Sequence, residues 1–186
     1  MTHSKASPSA LTRGVRIAGW AVLGLLFLAP FVAMQSGADV HWTANDFGVF
    51  GGLLLLIGLG CEVALRRLAS WTARFAWAVT LVTAALLVLV NGAVGLMGSE
   101  QADANHLFGI VLAVVAVGIG VARADTGRMA SVMVAAAITQ IAVVAVISLG
   151  DLVPLAERTT QDALFSGPGF ATLWLIAAFL FRKASR

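Results

Sequence analysis

"FAWAVTLVTAALLVLVNGAVGLMGSEQADANHLFGIVLAVVAVGIG", residues 75–120, sets two long apolar runs around a break that holds amides, carboxylates and a histidine. The runs are continuous and lack the alternation of a half-buried strand, so they read as helices. A bilayer crossing takes roughly 20 such residues. In hydrocarbon every backbone N–H and C=O must be satisfied within the segment or a closed barrel, which again selects the helix. The break then reads as a turn outside the membrane, and the question is whether it does anything more.

The same alternation of apolar run and polar joint extends over the 186 residues, of which 60% are hydrophobic and 11% charged. Soluble domains carry about 25% charged residues, and a chain of this size has no means of burying so much apolar surface in water. Apolar segments fall at residues 15–35, 46–65, 75–98, 106–122, 129–149 and 166–182. The expectation is an all-α, polytopic transmembrane bundle of six helices. A tail at 1–14 precedes a single six-helix domain at 15–182, and a short tail at 183–186 follows.

Charge gives the direction. Lys5, Arg13, Arg16, Arg66, Arg67, Arg74, Arg123, Arg128, Arg182, Lys183 and Arg186 fall on one side of this arrangement, and only Arg158 on the other. Cations of short loops mark the cytoplasmic side, so both termini are expected in the cytoplasm of a bacterial inner-membrane protein. Asp39, Asp46, Glu100, Asp103, Asp151, Glu157 and Asp162 lie opposite. The pI of about 10 therefore reports orientation, and no nucleic-acid partner is implied. One alternative concerns "TRGVRIAGWAVLGLLFLAPFVAMQSGA" (12–38), whose basic start and small-x-small end at Ser36 and Ala38 resemble a cleaved signal. Its apolar stretch exceeds the usual 7–15 residues or so, which favours a retained span.

The residues able to carry chemistry are few. Asn91 sits in the outer third of the third span, where an amide either fastens to another helix or meets a ligand. Glu100, Asp103 and His106 are three apart; with His41 they can form a carboxylate and imidazole set suited to Zn, Mn or Fe. The plainer reading makes Asp103 or Asn105 the N-cap of the fourth helix and leaves His106 at the interface. Glu62 stands four residues before Arg66 and can pair with it along the helix, although an acid within a span is also a functional candidate. Gln140, beside Thr139 near the middle of the fifth span, suits interhelical bonding, or a substrate contact if it faces a cavity. Asn45, Gly58 and Gly60 recur at the spacing of Asn105, Gly118 and Gly120, a faint repeat that chance explains well.

Inventory removes several enzymes. The single Cys61 excludes a disulfide or CxxC redox pair. Lys5 and Lys183 both lie outside the spans, which excludes a retinal Schiff base. HExxH, Ser–His and phosphate-cradling patterns are missing. No cofactor is required by the sequence.

"NDFGVFGGLLLLIGLGCEVALRR" together with "NGAVGLMGSEQADAN" resembles a group of small bacterial inner-membrane proteins that carry an N-x-A-V-G…G-S-E…A-N hairpin and no assigned biochemistry. The matching positions are Asp46, Phe47, Glu62, Asn91, Ala93, Val94, Gly95, Gly98, Ser99, Glu100, Ala104 and Asn105, within a similarity over residues 15–150. The resemblance implies the membrane fold and location and gives weight to Asn91 and Glu100. Asp103 and His106 fall outside the pattern. Three functions stay open: a non-enzymatic module binding a membrane partner, a lipid or a small amphiphile; a small transporter or ion-coupled carrier using Glu62, Asn91 and Gln140; and a metal- or haem-dependent redox protein with its site at the outer rim. Partners compatible with the chain are the bilayer, further copies of itself, or another membrane protein.

Overall fold

The computed structural model describes residues 10–36, 41–99, 101–157 and 159–186. These are helical, with no strand among them, and six helices are long and apolar enough to cross a membrane. They are α1 (Ala10–Gln35), α2 (Ala44–Arg67), α3 (Trp71–Ala93) and, after a joint, α4, which opens as a 3-10 turn Asp103–Phe108 and continues as the α-helix Gly109–Ala122. Next comes α5 (Thr126–Leu149). The last, α6, joins a short turn Thr160–Leu164, a π-helical stretch Phe165–Gly169 and the α-helix Phe170–Ala184. Several boundaries differ from expectation, two of them with a clear local cause. The third helix stops at Ala93, not residue 98, because the chain takes left-handed turns at Gly95 (φ 78°) and Gly98 (φ 74°), which glycine adopts without the Cβ penalty. The sixth span starts at Thr160, ahead of residue 166, where Thr159 and Asp162 form a reciprocal capping box.

The described residues form two compact units, divided between Leu65 and Arg66. In the first, α1 and α2 meet through rings laid on glycines. A Cβ at Gly58 would lie 2.7 Å from the Trp20 ring, and one at Gly51 would lie 2.9 Å from Phe27. Phe27, Phe47, Trp42 and Phe50 continue this contact as successive edge-to-face pairs with centroids 5.2–5.9 Å apart. Thr43 and Asp46 cap α2: the Thr43 N–H donates to Asp46 Oδ2 at 2.7 Å.

In the second unit α5 packs on both α4 and α6, and α6 also packs on α3. Met129, Met133, Ala136, Ala137, Gln140 and Ile147 line the buried face of α5, and Phe170, Ala171, Trp174, Ala177, Ala178 and Phe181 that of α6. The spacing of three and four is one helix stripe. The alanines let backbones come close where lipid provides no hydrophobic drive between helices. Gly118 serves α4 in the same way, since a Cβ there would overlap the Val132 side chain of α5.

Candidate functional site

The joint between α3 and α4 exposes Ser99, Gln101, Asp103 and His106, as its polar residues suggest, but it also folds over a buried apolar pair. Leu96 and Met97 are buried within it. Their amide N–H groups both donate to the side-chain oxygen of Asn105, at 3.2 and 2.9 Å. The amide nitrogen of Asn105 donates in turn to the Ser99 carbonyl at 2.8 Å. One buried side chain thus closes the loop against the first turn of α4. Asn91 adds a fourth bond, its Nδ2 donating to the Asn105 carbonyl at 3.3 Å. The Asn91 Oδ1 is buried and has no hydrogen-bond partner among the described residues.

This corrects the capping expectation. The residue before the 3-10 turn is Ala102, and no side chain caps it. Asn105 points back into the loop because the two positive-φ glycines turn the Leu96 and Met97 amides toward it. Gly98 also brings this joint against the α5–α6 joint, where a Cβ would stand 2.8 Å from Val153 and 3.2 Å from the Glu157 carbonyl.

From Met97 a chain of polar contacts continues inward. The Ser166 hydroxyl donates to the Met97 sulfur at 3.3 Å. The Ser166 carbonyl accepts from Gln140 Nε2 at 2.6 Å, and Gln140 Oε1 accepts from the Trp174 indole N–H at 3.4 Å. Its origin is the π-helical stretch. Pro168 has no N–H, and the Phe170 amide bonds the carbonyls of Phe165 and Gly167, passing over Ser166. A carbonyl released from its helix in an apolar interior needs a donor, and Gln140 is that donor. Thr80 and Met133 make a parallel hydroxyl-to-sulfur contact at 3.3 Å between α3 and α5.

The other sequence candidates fall elsewhere. Glu62, with 13% of its side chain exposed, makes a bidentate pair with Arg16 of α1, at 2.6 and 2.8 Å. The i,i+4 spacing points along α2 to Arg66; the structure adds Arg16, a partner across the hairpin. Thr139 turns its hydroxyl to the Ala135 carbonyl of its own helix. Glu100 lies outside the described residues. Asp103, His106 and His41 are exposed. Among the described residues no group of three or more His, Cys, Asp or Glu is placed to hold a metal. Asn45 and Asn105, the anchors of the faint repeat, have different surroundings, the first exposed and the second buried.

Sequence reasoning overlooked the roles of Asn105, Met97, Ser166 and Trp174. The available signal was an apolar pair, Leu96–Met97, set between two glycines inside an otherwise polar joint. No protein-family model matches the chain, and neither a curated protein nor a solved structure does.

Proposed function

We propose that the protein is an integral component of a bacterial inner membrane, with both ends in the cytoplasm, and that it serves as a non-enzymatic module binding a membrane partner, a lipid or a small amphiphile. The observation that carries this reading is how the interior polar groups are used. Gln140 is fully buried and bonded at both ends of its amide, and Asn105 is engaged on both side-chain atoms. These groups are committed to holding helices and a loop, which leaves them unavailable for turnover. A carrier would need Gln140 to face a solvated path; here it is enclosed by α6. The resemblance to small inner-membrane proteins with the same hairpin fits this reading, since its Asn91, Gly95, Gly98, Ser99 and Asn105 are the positions that build the loop closure. Orientation follows from the cation count.

Two measurements test it. In a Cys61→Ala background, Ser99→Cys is expected to react with an impermeant maleimide on intact cells, and Ser185→Cys only after permeabilisation; the reverse pattern overturns the orientation. Native mass spectrometry from mild detergent is expected to show retained amphiphile or a membrane partner. A stoichiometric metal or haem, lost in His106→Ala, would replace the reading with the redox one.

A further inference from the structure

Two cation-bearing segments meet at one corner of the larger unit. The α4–α5 joint, residues 123–125, turns back at once, with Arg123 and Ala124 both left-handed (φ 48° and 67°). Beside it α6 ends: a Cβ on Gly127 would lie 3.9 Å from the Ser185 Cβ. The turn and the start of α5 carry Arg123 and Arg128, and the end of α6 carries Arg182, Lys183 and Arg186. All five are exposed, and none is ion-paired among the described residues. We propose that this corner binds the two phosphates of an anionic phospholipid of the diphosphatidylglycerol type. The proposal deepens the binding-module reading and rests on it.

Charge selects an anion. The only side-chain acid in these segments is Asp125, whose Oδ1 accepts the Arg128 amide N–H at 2.7 Å as the cap of α5. The α1–α2 hairpin offers no substitute, since its described acids are engaged, Glu62 with Arg16 and Asp46 with Thr43. Orientation does not explain the shortage, because topology follows Lys and Arg and is nearly indifferent to acids. Depth selects a lipid. Arg128 is the third residue of α5, and Arg182 and Lys183 lie in the last turn of α6, so each stands within about 5 Å, one helical turn, of its helix end. The adjoining start of α3 marks the same level. Trp77 there meets Phe181 of α6 edge to face, with centroids 6.2 Å apart. One turn nearer the start of α3, Arg74 lies 4.6 Å over the exposed Trp71 ring, an aromatic of the kind enriched at membrane interfaces. A water-borne acidic protein calls for cations on a projecting segment, and the short α4–α5 turn does not project. Two cation-bearing segments side by side match two phosphates on one tether, the second binding at a raised effective concentration once the first is held.

The full-length protein in mild detergent would be titrated with tetraoleoyl diphosphatidylglycerol, dioleoyl phosphatidylglycerol and dioleoyl phosphatidylcholine, with bound lipid counted by native mass spectrometry. Diphosphatidylglycerol is expected to bind stoichiometrically and most tightly, and phosphatidylcholine most weakly. Arg128→Gln/Lys183→Gln should weaken the diphosphatidylglycerol complex about 25-fold, at about fivefold per cation near a headgroup. Arg13→Gln/Arg67→Gln removes the same charge from other exposed helix ends and is expected to leave binding near the wild-type value. Equal losses in the two double variants would mean a diffuse basic surface, and equal binding of phosphatidylcholine would mean no recognition of charge. Displacement of the lipid by millimolar inorganic phosphate, or by a soluble polyglutamate peptide at the lipid's own concentration, would mean a site for water-borne anions. Each of these overturns the proposal. Amphiphile retained alike by the wild-type protein and both variants would remove this corner alone. A protein that retains nothing would remove the binding-module reading as well.

Discussion

The α1–α2 hairpin and the α3–α6 unit hold helices together by different means. In the hairpin, rings fill the space over glycines, and the charged and polar bonds stand toward the helix ends, Arg16 with Glu62 at one and Thr43 with Asp46 at the other. In the larger unit, alanine stripes bring helices close, and buried amides, a hydroxyl, an indole and thioethers bond to one another at depth. Helices in lipid gain nothing from hiding apolar surface from one another, so each contact depends on fit or on polar bonds. The hairpin depends on fit. The larger unit adds polar bonds that its apolar interior makes costly to lose, and Gln140 and Asn105 are engaged in the process.

That contrast can be broken from either side. The largest effect is expected for Asn105→Ala, which orphans the two buried amide donors of Leu96 and Met97, while the Ser99 carbonyl keeps the Ala102 N–H. At about 1–3 kcal/mol per unsatisfied group, the loss is about 2–6 kcal/mol, read as a lower unfolding midpoint in detergent and as opened α3–α4 and α5–α6 joints in hydrogen exchange. Gly58→Leu should follow, at about 1–3 kcal/mol for overpacking against Trp20. Its signature is local: loss of a cysteine cross-link between α1 and α2, with exchange around Gln140 unchanged. A Gly58→Leu protein that loosened the α3–α6 unit equally would erase the distinction between the two.

Gln140→Leu removes two interhelical bonds, each about 0.6 kcal/mol in a membrane setting, and frees the Ser166 carbonyl. About 1–2 kcal/mol is expected, with faster exchange across residues 165–170. Smallest is Arg16→Gln. Its pair with Glu62 is bidentate, but 38% of the Arg16 side chain is exposed, so solvent screening holds the loss to about 1 kcal/mol or less. Urea or SDS titration of the four variants side by side would rank them, and a reversed order would contradict this account.

The parts readable from sequence are those governed by length and composition. Six spans follow from apolar runs of sufficient length, and Gln140 as a fastening between helices follows from the cost of a lone amide in hydrocarbon. The parts that escaped depend on contacts across long separations. Arg16 and Glu62 are 46 residues apart, and no periodicity links them. The Ser166 carbonyl needs a partner only because the π-helical stretch passes it over, which depends on where Pro168 falls in a helix of otherwise ordinary composition. Asn105 reads as a cap because amides next to a helix start usually are caps; only the left-handed turns at Gly95 and Gly98 present it with two amides at once. In the candidate site, Asn91 as a fastening was legible one residue at a time, while the loop that it fastens was not.

The α3–α4 joint is a folded closure built on Asn105, and the most direct test is hydrogen exchange at the Leu96 and Met97 amides in nanodiscs. Both are expected to be protected in the wild-type protein and to exchange rapidly in Asn105→Ala, with the helical amides of α4 still slow. Rapid exchange at both amides in the wild-type protein would mean that the joint is an open, solvated turn, and Asn105 would return to being an ordinary residue at the start of a helix.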